Sequence, residues 1–206
     1  MIADRSTQKK ILRCGKQEFL QHGFQNASLR NIAAAAGLTT GAIYTYFKDK
    51  NALFEAIVSP VCTQVEEMFT KLSASYYNAE GVVGEISIQK TNTEMSQVYR
   101  FIYDNFDIFR LLVVCAEGST KADYVHTIVD YEVEHTLAYL DRLKKIKGIN
   151  NSLDRTSLHL VSESYIDAIF EPVRHNMSLE QALKNLEFLS VFYTGGWKSV
   201  LECGLE

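Results

Sequence analysis

Cysteine is scarce and scattered in this 206-residue chain: Cys14, Cys62, Cys115 and Cys203 lie far apart, with no CxxC and no histidine pair beside them. Such spacing supports neither a disulfide framework nor a structural zinc site, and it suits a reduced, cytoplasmic protein. Proline occurs only at positions 60 and 172, and no Pro/Gly/Ser-rich stretch marks a flexible linker. Long apolar runs are missing too. Nowhere do about eighteen apolar residues follow one another, so no segment reads as a membrane span. Asp4, Arg5, Lys9 and Lys10 interrupt the opening residues before a signal-peptide core can form. HExxH, a paired ExxH, a phosphate-binding glycine loop and a nucleophile–base arrangement are all absent, so the sequence indicates no catalytic residue and no cofactor. It indicates no metal effector either: His126 and His135 do not share a helix face, and His159 and His175 stand alone.

What is present is helical periodicity. With 47% hydrophobic residues the chain can bury a real core. Apolar positions recur at three- and four-residue spacing almost throughout, which predicts an all-α fold. A first helix over about 6–22 stops at Gly23, with Phe24 as the apolar contact after the stop. A long helix starts after Asp49 with Leu53, Ile57, Val61, Val65, Met68 and Leu72 on one stripe, and Pro60 inside it predicts a kink. The stretch 76–89, least periodic and carrying Gly81 and Gly84, reads as a loop. Helix resumes near Thr93, breaks around 105–107, and breaks again at Gly118 and Ser119. A third long helix covers about 121–147, where Arg142, Lys144, Lys145 and Lys147 suit a C-terminus before Gly148. Two more helices follow, about 153–176 and 178–203, and Ser178 with Gln181 forms a capping-box pattern at the second.

Charge is unevenly spread. The formal net charge of −4 divides into +5 over the first 50 residues and −9 over the rest, so the basic surface lies at the N-terminal end. There the stretch 28–47, SLRNIAAAAGLTTGAIYTYF, reads as two short helices around a tight glycine turn. Leu29, Ile32, Ala33 and Ala36 make one buried face, Ser28 caps it, and Gly37 supplies the positive φ of the helix end. Thr39 or Thr40 caps a second helix that turns Ile43 and Phe47 inward and Thr40, Gly41, Tyr44 and Thr45 outward. The hydroxyls and methyls of these outward residues suit phosphate and base edges, and glycine admits close backbone approach. Lys48 and Lys50 flank Asp49, a cap for the next helix, which places Lys50 to reach a phosphate. Pattern alone also fits a helical hairpin with a solvated polar face.

Ile11, Gly15, Phe19, Gly23, Phe24, Ser28, Ile32, Ala33, Ala36, Gly37, Thr40, Gly41, Ile43, Tyr44, Tyr46, Phe47, Lys50 and Leu53 stand in the order and spacing of the N-terminal domain of TetR-like (TetR/AcrR) transcriptional regulators. About the first quarter of the chain therefore resembles that family. The resemblance implies an all-helical homodimer that binds a near-palindromic operator, mostly as a repressor, and releases it when a small molecule binds the C-terminal part. It implies a helix-turn-helix domain over 1–48 and a helical effector-binding and dimerisation domain over 49–206. The DNA-contacting set is then Ser28, Thr39, Thr40, Gly41, Tyr44, Thr45, Tyr46, Lys48 and Lys50. Gly15 departs from the family's usual alanine, and a mid-helix glycine costs about 1 kcal/mol relative to it.

The rest of the chain is read more coarsely. In the last helix Leu179, Leu183, Leu186, Leu189, Val191, Phe192, Tyr193, Trp197, Val200 and Leu201 cover more than one face, and both must be buried. That suits either a central core helix or, as the resemblance implies, a four-helix dimer interface shared with the helix after Leu153. Tyr99, Tyr103, Phe106, Phe109, Tyr124, Tyr131 and His135 are the candidates for the wall of an effector pocket that takes a mostly apolar or aromatic compound; aromatics at helical spacing equally make plain core. An all-helical enzyme and a protein-binding adaptor are the alternatives from other function classes.

Overall fold

The computed structural model describes residues 4–78, 88–147 and 153–203. Among them the chain is all helix, without a strand: α1 (Arg5–Asn26), α2 (Leu29–Ala36), α3 (Thr40–Tyr44), α4 (Lys50–Asn78), α5 (Ile88–Asp104), α6 (Phe106–Val114), α7 (Tyr124–Lys147), α8 (Arg155–Arg174) and α9 (Leu179–Cys203). Of the expected loop over 76–89, residues 76–78 belong to α4 and residues 88–89 to α5. Its remainder, the side chain of Leu72 and the stop at Gly148 lie outside the described residues. α4 continues through Pro60, which is exposed. No described helix is long and apolar enough to cross a membrane.

Packing groups the chain into two units, Met1–Val65 with Asn105–Tyr124, and Glu66–Asp104 with Val125–Glu206. α6 and the turn after it belong with α1 and the first half of α4. The Phe24 N–H donates to the Cys115 carbonyl at 2.8 Å. Lys16 pairs with Asp107 at 2.6 Å. The Thr120 N–H donates to Asn51 Oδ1 at 2.9 Å, and its hydroxyl donates to Glu55 Oε1 at 2.6 Å. These partners lie 69 and 65 positions apart for Thr120, so no local pattern foreshadows them.

Within the first unit, Gly23 takes φ 69° and ψ 167° and ends the regular turns of α1 where the sequence places the stop. Phe24 then folds back, and its ring meets Phe19 and Phe54 at centroid distances of 5.8 and 5.3 Å. Gly15 acquires a tertiary meaning. A Cβ there would stand 3.1 Å from Leu53 Cδ2 and 3.2 Å from Ile57 Cδ1, so the missing methyl lets α4 approach α1 closely.

The second unit packs α5 against α9. Tyr99 is fully buried against Ala182 and Leu186, with Met95, Tyr103, Leu179 and Leu183 around them. At the start of α9 both halves of the capping box form: the Ser178 N–H donates to Gln181 Oε1 at 2.9 Å, and the Gln181 N–H donates to Ser178 Oγ at 3.2 Å. On the neighbouring pair, Tyr165 of α8 meets Tyr193 of α9 edge to face at 4.7 Å. One expectation needs correcting here. His159 is alone in the sequence but not in the fold, since its ring lies 5.2 Å from that of His126 on α7. Cys14, Cys62 and Cys115 are buried and form no disulfide among the described residues.

Candidate nucleic-acid interface

The two short helices are shaped by their ends. Ser28 Oγ accepts from the Arg30 N–H at 3.2 Å and opens α2. Gly37 closes it at φ 65°, ψ 36°, while the Leu38 N–H reaches back to the Ala33 carbonyl at 2.9 Å. That left-handed residue with a backward bond is the Schellman ending, which reverses the chain in very few residues. Thr39 is the cap of α3, its Oγ1 accepting from the Ala42 N–H at 3.2 Å. α3 is five residues long, too short to persist alone, and it holds because Ile43 is fully buried and Phe47 nearly so.

Burying Ile43 and Phe47 turns the intervening residues outward. Tyr44 is 55% exposed, and Thr39, Gly41, Thr45 and Lys48 are exposed beside it, with Thr40 and Tyr46 half-buried. A Cβ on Gly41 would find nothing nearer than Thr39 Oγ1 at 3.9 Å, so the backbone there is open to approach. Three of the hydroxyls already serve the fold. Ser28 and Thr39 are caps, and Thr45 Oγ1 donates to the Ala42 carbonyl at 2.7 Å. Ser28 is held further by its own N–H, which donates to Glu18 Oε1 at 3.0 Å.

Lys50 occupies a place the sequence did not suggest. Its ammonium donates to the Gln25 carbonyl at 3.0 Å and the Ala27 carbonyl at 3.1 Å, and it sits 4.6 Å from the centre of the Phe24 ring. Partial burial holds its pKa below the usual lysine value. Lys50 thus ties the start of α4 to the end of α1, using two of its three N–H groups. Arg30 and Asn31, absent from the expected set, are exposed on α2, with Asn31 Nδ2 donating to Glu18 Oε1 at 3.1 Å.

This geometry, two short helices about a left-handed glycine with an exposed second helix, is matched by comparison with known proteins. Residues 11–57 match the family described as bacterial regulatory proteins, tetR family. Over 175 residues the chain is 31% identical to the HTH-type transcriptional repressor AcnR of Corynebacterium efficiens, covering 85% of this chain and 86% of that protein. The chain belongs to the TetR family. Its fold agrees: a TetR-like transcriptional regulator from Rhodococcus sp. RHA1 superposes with a TM-score of 0.60 over 95% of this chain and 100% of that one, at 17% identity. FadR from Bacillus subtilis, solved in complex with stearoyl-CoA, superposes with a TM-score of 0.57 over 89% and 97%, at 15% identity. The protein is a helix-turn-helix transcriptional regulator of this family.

In this TetR-family chain the seven effector candidates are distributed over the two units. Phe106, Phe109 and Tyr124 belong to the first unit, whereas Tyr99, Tyr103, Tyr131 and His135 belong to the second. Tyr103 already has work to do, its hydroxyl donating to the Met177 carbonyl at 2.8 Å where α8 ends. Tyr131 is exposed, and Phe109 is core. Tyr99 is the unusual one. Its ring is packed on all sides, yet its buried hydroxyl meets no hydrogen-bonding partner, and burial drives its pKa far above the ordinary tyrosine value. Glu132 of α7 escaped the sequence reading altogether. Desolvation raises its carboxyl pKa above the usual range, against a Thr136 hydroxyl that donates only at 3.5 Å.

Proposed function

We propose that this TetR-family regulator is a repressor that works as a homodimer, reads a near-palindromic operator with α3, and releases it when a small molecule binds the second unit. The observation that carries the reading is the opposed exposure of α3, with Ile43 fully buried and Tyr44, Gly41 and Thr45 facing solvent above a basic N-terminal end. The proposed contacts to DNA are Thr39, Thr40, Gly41, Tyr44, Thr45, Tyr46 and Lys48, with Ser28 and Lys50 holding the frame that presents them. One such head reads a half-site, and pairing places two of them about one helical turn apart, ~34–36 Å.

The proposed dimer surface is the apolar stripe of α9, where Phe188 and Phe192 are 70% and 63% exposed and Val191 lies between them in the sequence, together with exposed Leu160 and Val161 of α8. A run of large apolar groups on two helices is the kind of face that four-helix pairing covers. For the effector, the unsatisfied Tyr99 hydroxyl and the Glu132 carboxylate support a largely apolar compound carrying a polar group. The proposed regulator acts in the cytoplasm, by binding rather than by catalysis. Electrophoretic mobility shift with DNA flanking the protein's own gene, at fixed salt, tests the reading. Retardation that specific competitor abolishes is the expected result, and binding no tighter than to unrelated DNA overturns it.

A further inference from the structure

His126 stands one turn before Asp130 on α7, and His159 one turn before Glu163 on α8, so each helix carries histidine and carboxylate on the same face. The fold brings the two faces together. The imidazole centroids are 5.2 Å apart with the ring planes at 71°. Each Nε2 lies 4.0 Å from the carboxylate of its own helix, beyond hydrogen-bond reach. His126, Asp130 and Glu163 are about half exposed and His159 about a third, so solutes reach the group. The nearby charges leave a negative surplus: Arg155 is paired with Glu134, while Asp130, which Arg155 also attracts, and Glu163 remain.

We propose that His126 and His159, flanked by Asp130 and Glu163, form a binding site for a divalent transition-metal cation of the zinc class, which clamps α7 to α8. Two imidazole nitrogens at ~2.0–2.1 Å from one tetrahedral ion hold their ring centroids roughly 5 Å apart, which is the spacing found. Imidazole donors select zinc, nickel or copper over magnesium and calcium, which take all-oxygen shells. As the side chains stand, no group of three or more histidine, cysteine or carboxylate side chains among the described residues is arranged to hold a metal ion. The two rings are the preset half of the site, and the carboxylates complete it by side-chain rotation, with water filling any remaining position.

Calorimetric titration of the full, chelator-treated chain with zinc chloride tests this. The expected result is one zinc per chain with micromolar affinity and no heat from magnesium chloride. His126→Ala and His159→Ala each weaken binding by about tenfold or more, and Asp130→Asn and Glu163→Gln weaken it less. All four side chains are substantially exposed, so circular dichroism of the variants should match the parent. Zinc binding that is unchanged in the His126→Ala, His159→Ala double variant, or no saturable binding below millimolar zinc, overturns the proposal. No DNA enters the measurement, so it stands or falls apart from the operator reading.

Discussion

Ile43 and Tyr44 are neighbours with opposite fates, and that opposition makes the clearest prediction at the scale of the residue. Tyr44→Ala removes an exposed ring and hydroxyl without opening the core, so stability should stay within about 0.5 kcal/mol of the parent. Specific operator affinity should fall by about 1–3 kcal/mol in a binding titration; an unchanged affinity would remove α3 as the reading helix. Lys48 and Lys50 should separate in the same titration run at several salt concentrations. Exposed Lys48→Ala should weaken binding to all DNA and lower the salt slope by about one unit per subunit, whatever the sequence. Lys50→Met instead strips two carbonyls of a charged donor, and denaturant unfolding should show a loss of about 1–2 kcal/mol. Full stability in that variant, with a flattened salt slope, would return Lys50 to the phosphate backbone where its spacing had placed it.

Among the elements, α8 and α9 show how caps decide where helices begin. Ser178→Ala breaks one of the two reciprocal bonds at the start of α9 and should cost about 1 kcal/mol by thermal or chemical unfolding. Tyr103 reaches the same corner from α5, so Tyr103→Phe should loosen it further, and a variant as stable as the parent would show that the corner is held by apolar packing alone. Asp154 caps α8, and its bond from the Ser157 N–H holds its carboxyl pKa below the ordinary aspartate value. A lowered folded-state pKa stabilises above the unfolded value near 3.8 and loses that contribution as pH falls through the lowered one. Acid below about pH 4 should therefore fray the first turn of α8 in the parent, and Asp154→Ala should remove that part of the acid response. Hydrogen exchange at Ser157 is the direct measure.

For the whole molecule, the governing question is what covers the apolar stripe of α9. Sedimentation should find a dimer at micromolar concentration. Phe192→Asp, which places a charge in the middle of the stripe, should shift it toward monomer and weaken operator binding together, because two half-site contacts become one. A parent that sediments as monomer would overturn the interface. If the effector reading holds, a compound that stabilises the chain in a thermal-shift screen should also release operator, with a coupling of about 1–3 kcal/mol between the two sites. Stabilisation that never alters DNA affinity would count against coupling.

The sequence by itself determined the features that depend on neighbours a few positions apart. Ser28 and Ser178 cap, Gly23 and Gly37 turn left-handed, and Ile43 and Phe47 face inward, because a backbone N–H or a helical face within reach selects those residue types, whereas the choice of Thr39 over Thr40 as the cap of α3 came from the structure. The spacing of such features was enough to expose the family resemblance. Tertiary structure alone decided which distant groups meet. Periodicity says that a side chain is buried or exposed but never names its partner, so nothing local foretold Lys50 on Gln25 and Ala27, Gly15 beneath Leu53 and Ile57, or α6 seated on α1. The same holds for Tyr103 spent on the segment after α8 and for His126 facing His159, 33 positions further along the chain. Burial is settled locally by pattern, whereas pairing is settled by the closure of the whole chain, and it is pairing that decides which polar groups remain available for a ligand.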